Sequence, residues 1–238
     1  MNRQQQRQPQ NELVAWYNDI PLCTKFLFTS FVVITILGNT FVPAFYFFHI
    51  PYFTFYKLQI WRLYTSFFLH GLSLGGAFQL YFLYYYSREI ETSKFSGKTA
   101  DYVFFLLFEA LTILILGWFF GLALFNQCIV MAIIYVWSQY YKDAIVTFMF
   151  GIRFKGVYLP FVLLVFEMLQ IGGIPWSSII GVITGHLYHY LQDIYPASGG
   201  PRLLNTPQWL RRMFPQNASG VRFSFGNILS TGRRLGSS

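Results

Sequence analysis

Apolar residues are concentrated in six runs along the chain, and polar and charged residues lie mainly in the segments between them. A helix that is apolar on every side is typical of a membrane span or of a fully buried core. The second run is the weakest, because it contains three glycines, a glutamine and four tyrosines. The pattern predicts an all-α polytopic membrane protein with six spans. The runs cover residues 26–42, 69–86, 102–119, 122–137, 157–171 and 176–191.

The last two runs are short for a membrane span. A helix over residues 176–191 reaches about 24 Å at a rise of about 1.5 Å per residue, whereas the hydrocarbon core is about 30 Å thick. Short spans are accommodated by local thinning of the bilayer or by flanking aromatic residues. We therefore expect compressed lipid beside these two helices.

Composition supports the membrane class. Hydrophobic residues make up 55% of the 238 residues and charged residues 11%, against about 25% charged residues in a soluble domain. The 21% of aromatic residues excludes a chain that is disordered throughout. The acidic residues within the runs lie singly, with no His or Cys near them in sequence, so neither a metal ion nor a cofactor is expected.

The basic residues are distributed unevenly between the two sides of the predicted bundle. Of the 17 Lys and Arg residues, only Lys57 and Arg62 lie in loops that follow odd-numbered runs. Because basic residues remain on the cytosolic side of a membrane, both termini are predicted to be cytosolic. The anionic lipid surface on that side accounts for the net charge of +8 without a nucleic-acid partner.

These assignments divide the chain into three parts. Residues 1–24 form a cytosolic N-terminal segment, residues 25–193 the membrane domain, and residues 194–238 a basic cytosolic tail that is expected to be largely disordered. Residues 43–68 are too aromatic for a solvated loop and too polar to span the membrane. This composition is typical of an interfacial segment whose aromatic side chains face the lipid and whose charges face water. We expect Trp61 to lie at headgroup depth and Arg62 to pair with backbone carbonyls or lipid phosphates.

Small and polar residues within the runs indicate helix packing. Gly181 and Gly185 are spaced as in a GxxxG motif, which lets another helix approach closely, and we expect that helix to be the fourth span. His186 follows directly; it either forms a hydrogen bond across a helix interface, which periodicity favours, or has a function. Glu109 and Glu167 lie singly in the third and fifth runs, and hydrogen-bonded packing is favoured there over a proton relay.

The Trp61-Arg62 pair in a long first loop, together with the glycines and the histidine of the sixth run, resembles the rhomboid superfamily. Rhomboid proteases pair that histidine with a serine at the start of the fourth span. In this chain no serine lies between Ser96 and Ser138. Cys128 lies in the fourth run, where a thiol in apolar surroundings is inert. The resemblance therefore implies the fold without the catalytic dyad.

The chain is more similar to the Derlin branch of rhomboid-like pseudoproteases, over about residues 12–215. The resemblance implies a six-transmembrane, rhomboid-like helical bundle that is not an enzyme. The matching segments are residues 19–21, 59–63, 86–88 with Glu91, 135–138, 153–155, 158–160, 185–188 and 206–207.

The Derlin resemblance also implies a place and a role. Derlins are multi-pass proteins of the endoplasmic reticulum membrane. In ER-associated degradation they assist retrotranslocation of misfolded proteins from the lumen or the membrane to the cytosol. They act with a RING ubiquitin ligase and the valosin-containing-protein AAA ATPase. Misfolded proteins and membrane lipids are the expected partners, and a homo- or hetero-oligomer is a further expectation.

Many Derlins end in a short ATPase-docking segment. The tail of this chain matches it in part, at Leu229, Gly232, Arg234, Leu235 and Gly236. The aromatic residue and the first glycine of that segment have no counterpart at the expected spacing. The match at these five residues predicts a docking tail for that ATPase.

The second run suits the wall of a polar groove better than a lipid-facing surface, because Gln79, Tyr81 and Tyr84 are costly to expose to hydrocarbon. With the short fifth and sixth spans, it predicts a lateral groove beside thinned lipid, where a polar chain crosses at lower cost. Two alternatives remain. An active intramembrane rhomboid protease requires a nucleophile near His186, and a channel or transporter is expected to contain inverted repeats, of which the sequence shows none.

Overall fold

The computed structural model describes residues 12–147 and 151–214, and this part of the chain is mostly helical. The main helices follow the apolar runs of the sequence. In chain order the helices are α1 (Glu12–Asp19), α2 (Leu22–Ile36), α3 (Trp61–Thr65), α4 (Leu74–Thr92), α5 (Thr99–Phe119), α6 (Asn126–Tyr140), α7 (Leu159–Ile171), α8 (Trp176–His189), α9 (Tyr195–Ala197) and α10 (Gln208–Met213).

A short hairpin, which the sequence pattern does not predict, joins α6 to α7. Its strands are β1 (Ile145–Thr147) and β2 (Arg153–Lys155), and they pair antiparallel with Val146 opposite Phe154. The predicted all-α class is therefore correct for the bundle and incomplete for this connection.

Helix starts differ from the runs for local reasons. α4 begins five residues after the start of the second run, where the Ser73 hydroxyl accepts a hydrogen bond from the backbone N–H of Gly76 at 3.2 Å. A hydroxyl in that position satisfies one of the free donors of a helix N-terminus. α6 begins at Asn126 because Gly121, with a φ of 65°, turns the chain before it.

Two helices in the described part of the chain are long and apolar enough to cross a membrane. The first is Leu22–Phe41, which is α2 continued by a π-helical turn over Leu37–Phe41, and the second is Thr99–Phe119. A third helical segment, Gly156–Ile171, is apolar but shorter. The count of six spans remains a prediction.

Helix α6 lies at the centre of the bundle. Every residue from 128 to 138 is buried, and α6 packs against α4, α5, α7 and α8. A helix that is apolar on all sides is stable only when neighbours surround it. α4, α5, α7 and α8 are therefore positioned by their contacts with α6.

The closest helix contact is that between α6 and α8. A Cβ on Gly181 would collide with the carbonyl oxygen of Cys128. A Cβ on Gly185 would lie 3.0 Å from the carbonyl oxygen of Ala132 and 3.1 Å from Cβ of Tyr135. Both glycines thus face the helix formed by the fourth run, as the sequence predicts, and no side chain fits between the backbones.

A carboxylate from α4 caps the N-terminus of α2. Glu91 accepts hydrogen bonds from the backbone N–H of Cys23 at 2.9 Å and of Thr24 at 2.7 Å, and from the Thr24 hydroxyl at 2.7 Å. The Ser87 hydroxyl lies 2.8 Å from that of Thr24 and 2.7 Å from that of Tyr102. Since helix N-termini carry partial positive charge, the buried carboxylate joins α4 to α2, and the Ser87 hydroxyl extends the network to Tyr102 of α5.

The first part of the predicted tail packs on the bundle. The Thr206 hydroxyl donates to the Asp101 carboxylate at 2.6 Å, Arg211 lies 3.7 Å from the same carboxylate, and Leu210 of α10 is buried against α5. The remainder of the tail, residues 215–238, lies outside the described residues.

The α6–α8 contact generates a stability prediction. Gly181→Val is expected to lower the free energy of unfolding by about 1–3 kcal/mol, because the added methyl groups force the two backbones apart. Thermal unfolding in detergent measures the effect. Gly173→Val is the matched control, since a Cβ at Gly173 meets no atom within 4 Å. Equal midpoints for the two variants would contradict the proposed close packing.

Candidate functional site

A groove of about 1070 Å³ runs between α4, α6 and α7. The side of α6 that faces it is formed by residues three to four positions apart, which is one face of a helix. The β1 strand lies at the end of the groove where α6 ends. The groove-lining residues of α6 are Gln127, Val130, Met131, Ile134 and Trp137.

Aromatic side chains of α4 form one wall of the groove. Tyr81 and Tyr85 stack with ring centroids 5.9 Å apart, and Tyr86 packs edge-to-face on Trp137 at 4.8 Å. Residues four apart share a helix face, so the predicted Tyr81 lies in the groove together with Tyr85.

Tyr84, which the sequence places beside Tyr81 in a groove, does not line this one. Its ring lies 5.5 Å from that of Trp16 and 5.7 Å from that of Phe28, and its hydroxyl accepts from Arg88. Helical periodicity applied to Tyr81 would have selected Tyr85 instead.

Polar side chains from four helices meet at one end of the groove. Gln79 donates to Gln127 at 2.7 Å, and Asn126 donates to Gln79 at 3.3 Å. Gln127 in turn donates to the carboxylate of Glu167 at 3.0 Å and to the hydroxyl of Ser178 at 2.9 Å. Ser178 also donates to Glu167. We call these five residues the polar cluster. Of them, only Gln79 is predicted from the sequence to line a groove.

The two acidic residues of the spans have different surroundings. Glu167 is hydrogen-bonded, as expected. Glu109 is fully buried in α5, and in the described part of the chain neither of its carboxyl oxygens has a hydrogen-bond partner. The Thr184 side chain of α8 interacts with this carboxyl group without the geometry of an ordinary hydrogen bond.

Arg62 holds the long first loop together from inside. Its side chain is 1% exposed and donates to the Gln59 side chain at 2.6 Å and to the backbone carbonyls of Phe45 and Phe48 at 2.6 and 2.8 Å. The expected pairing with carbonyls is thus present, but the expectation that charges face outward is wrong for Arg62. Buried carbonyls need donors, and a guanidinium supplies several in a fixed fork. Trp61 is 54% exposed, as an interfacial anchor requires.

The same loop positions the start of α6. The backbone N–H of Phe125 donates to the carbonyl of Ser66 at 2.9 Å, and that of His49 donates to the carbonyl of Ala123 at 2.8 Å. The polar residues Asn126 and Gln127 follow directly. The loop around Arg62 therefore helps to place the polar cluster.

His186 does not face a nucleophile. Its Nδ1 lies 2.7 Å from the Tyr135 hydroxyl on α6, with the ring planes at 85°. Cys128 is buried at the level of Gly181, five residues before His186 on α8, and no hydrogen bond of the described residues joins the two side chains. This arrangement is a hydrogen bond across a helix interface, which the sequence favoured.

Two further expectations concern the docking tail and metal binding. The docking residues Leu229, Gly232, Arg234, Leu235 and Gly236 lie beyond the described residues. Among residues 12–147 and 151–214, no three His, Cys, Asp or Glu side chains are grouped as metal ligands.

Comparison with known proteins places this bundle in a family. Residues 20–208 match the Der1-like family. The chain belongs to the Der1-like family. It is 40% identical to Derlin-1 of Mus musculus over 218 residues, which cover 89% of this chain and 86% of that protein. It is 36% identical to Derlin-1 of Drosophila melanogaster over 212 residues, covering 87% and 86%. A plant member of the Der1-like family, Derlin-2 of Oryza sativa subsp. japonica, is 30% identical over 235 residues, covering 93% and 94%.

The burial of Arg62 generates a prediction that separates it from its neighbour. Arg62→Ala is expected to lower the free energy of unfolding by about 3 kcal/mol, because buried carbonyls lose their donor. Trp61→Ala is expected to change it by about 0.5 kcal/mol or less in detergent, since that ring is exposed, but to reduce clearance of substrates in membranes.

Thermal unfolding and limited proteolysis of the loop measure the first effect, and substrate turnover in cells measures the second. If Arg62→Ala unfolds at the same temperature as Trp61→Ala, the internal role assigned to Arg62 is wrong.

Proposed function

We propose that this protein assists the retrotranslocation of misfolded proteins across the endoplasmic reticulum membrane during ER-associated degradation, with no catalytic activity of its own. Membership of the Der1-like family supports the pathway. The observation that supports the mechanism is the groove between α4 and α7, which combines an aromatic wall with the polar cluster.

A groove of this composition lowers the cost of moving a polypeptide through hydrocarbon. Each unsatisfied peptide group costs several kcal/mol in lipid. The amides and hydroxyls of the polar cluster can exchange hydrogen bonds with a polar chain, and the tyrosines of α4 offer apolar rings with polar tips. The groove therefore suits a segment that is partly apolar and partly polar.

Helix length supports local bilayer thinning. The helical segment that ends with α7 covers Gly156–Ile171, which corresponds to about 24 Å against a hydrocarbon core of about 30 Å. The sixth run is not short, contrary to the sequence prediction, because α8 is continued by a π-helical turn over Tyr190–Ile194 and by α9. Tilting increases the deficit of α7, so the lipid beside α7 must become thinner or other helix ends must cover the gap. Thinner lipid shortens the path of a polar segment.

The remaining parts of the proposal concern topology and partners. We place the bundle in the ER membrane as six spans with both termini cytosolic, from the distribution of Lys and Arg. The Derlin resemblance supports misfolded substrates, a RING ubiquitin ligase and, through the tail, the valosin-containing-protein ATPase as partners. The separation of Cys128 from His186 argues against the protease alternative.

Site-specific photo-crosslinking tests the groove. A photoreactive residue in place of Tyr85, inside the groove, is expected to capture a misfolded membrane substrate in intact cells. The matched control is the same residue in place of Leu111, which is exposed on α5 and does not line the groove. Equal capture at both positions, or capture only from α5, would contradict the proposal.

Lengthening α7 tests the contribution of thinning. Three Leu residues inserted after Ile171 add about 4.5 Å to the helix and leave Glu167 in register with its neighbours. We expect slower clearance of substrates, measured by chase, at unchanged protein level and thermal stability. An insertion of Gly-Ser-Gly after Gly173 is the control, since it adds the same number of residues to a loop. Clearance at the parental rate by the lengthened variant would rule out thinning by α7.

A further inference from the structure

The charges that line the groove are of one sign. The groove contains Glu167 at the polar cluster and Glu89 further along α4, and the described residues that line it include neither Lys nor Arg. This holds in a chain whose net charge is +8. Glu89 lies ten residues after Gln79, which is about 15 Å along the helix. A carboxylate therefore lies at each of these two positions along the groove.

Glu167 is held by neutral groups only. Gln127 and Ser178 both donate to its Oε2, whereas the ion pairs found among the described residues do not include it. The side chain is partly exposed, and no hydrogen bond of the described residues reaches its Oε1. Neutral donors orient a carboxylate without neutralising it, so one oxygen remains directed to a further partner.

We propose that Glu167, oriented by Gln127 and Ser178, forms a recognition site for the Lys or Arg side chain of a misfolded membrane segment in the groove. This inference rests on the proposed function, because it names the chemical class of segment that the groove selects. A basic side chain in the middle of a membrane segment is costly in lipid and is stable there only beside a partner charge. A segment that has lost its normal partner therefore gains more from this groove than an apolar segment does.

The aromatic wall complements the same ligand. Tyr81 and Tyr85 stand on the groove face of α4, with Gln79 of the polar cluster on the same helix. A Lys or Arg that reaches Glu167 passes its alkyl stem over apolar rings, and tyrosine faces attract the cation itself. An acidic side chain in the same place would meet only like charge and polar dipoles.

Paired reporters test the inference. Two single-pass substrates differ only by Lys or Leu at the centre of the membrane segment, and their half-lives are measured in cells that rely on this protein. Glu167→Gln keeps the shape of the side chain and is expected to slow clearance of the Lys reporter at least about fivefold more than that of the Leu reporter. Glu12→Gln removes an exposed carboxylate that does not line the groove and is expected to change neither half-life.

A variant with the opposite charge at position 167 provides a second test. Glu167→Lys is expected to clear a reporter with a central Glu faster than the parent protein does, at the expense of the Lys reporter. If Glu167→Gln slows both reporters equally or neither of them, the recognition site is wrong although the groove function stands. If the parent protein clears neither reporter and Tyr85 captures neither, the proposed function itself is wrong. Protein level and unfolding temperature of each variant exclude a folding defect.

Discussion

Burial of α6 on all sides is the constraint on which the rest of this bundle depends. Its 128–138 segment has no exposed residue, so each surface of the helix must find a neighbour of matching shape. On one side that neighbour is α8, whose Gly181 and Gly185 allow backbone contact. On another side α4 and α7 stand apart and leave the groove. A single buried helix thus takes part both in the close contact with α8 and in the floor of the groove.

The polar cluster provides the hydrogen bonds that a polar side chain at the start of the buried helix α6 requires. Gln127 lies in the first turn of a buried helix, where an amide without partners would be costly. Side chains from α4, α7 and α8 satisfy it, namely Gln79, Glu167 and Ser178. The same hydrogen bonds fix how α4 and α7 stand relative to α6. The features that stabilise the bundle are therefore also those that give the groove its chemistry.

Periodicity and hydropathy were sufficient to predict the helices and one close contact between two helices. The six apolar runs became helices, and the GxxxG spacing indicated the contact between α8 and α6. The polar cluster was not predictable, because its members are distant in sequence and meet only after packing. The carbonyl partners of Arg62 were predictable, but its burial was not, because a charged residue beside an exposed Trp61 suggests a surface position. The position of Tyr84, in contrast, was within reach of helical periodicity.

The cap on α2 has a consequence for biogenesis. The donors at the N-terminus of α2 are satisfied by Glu91, which is synthesised 67 residues after Thr24. A ribosome therefore delivers α2 to the translocation machinery well before its cap exists. During that interval the first turn of α2 must remain in contact with water or lipid headgroups, since hydrocarbon offers no acceptor. The first turn of α2 can therefore become buried only once α4 has been inserted.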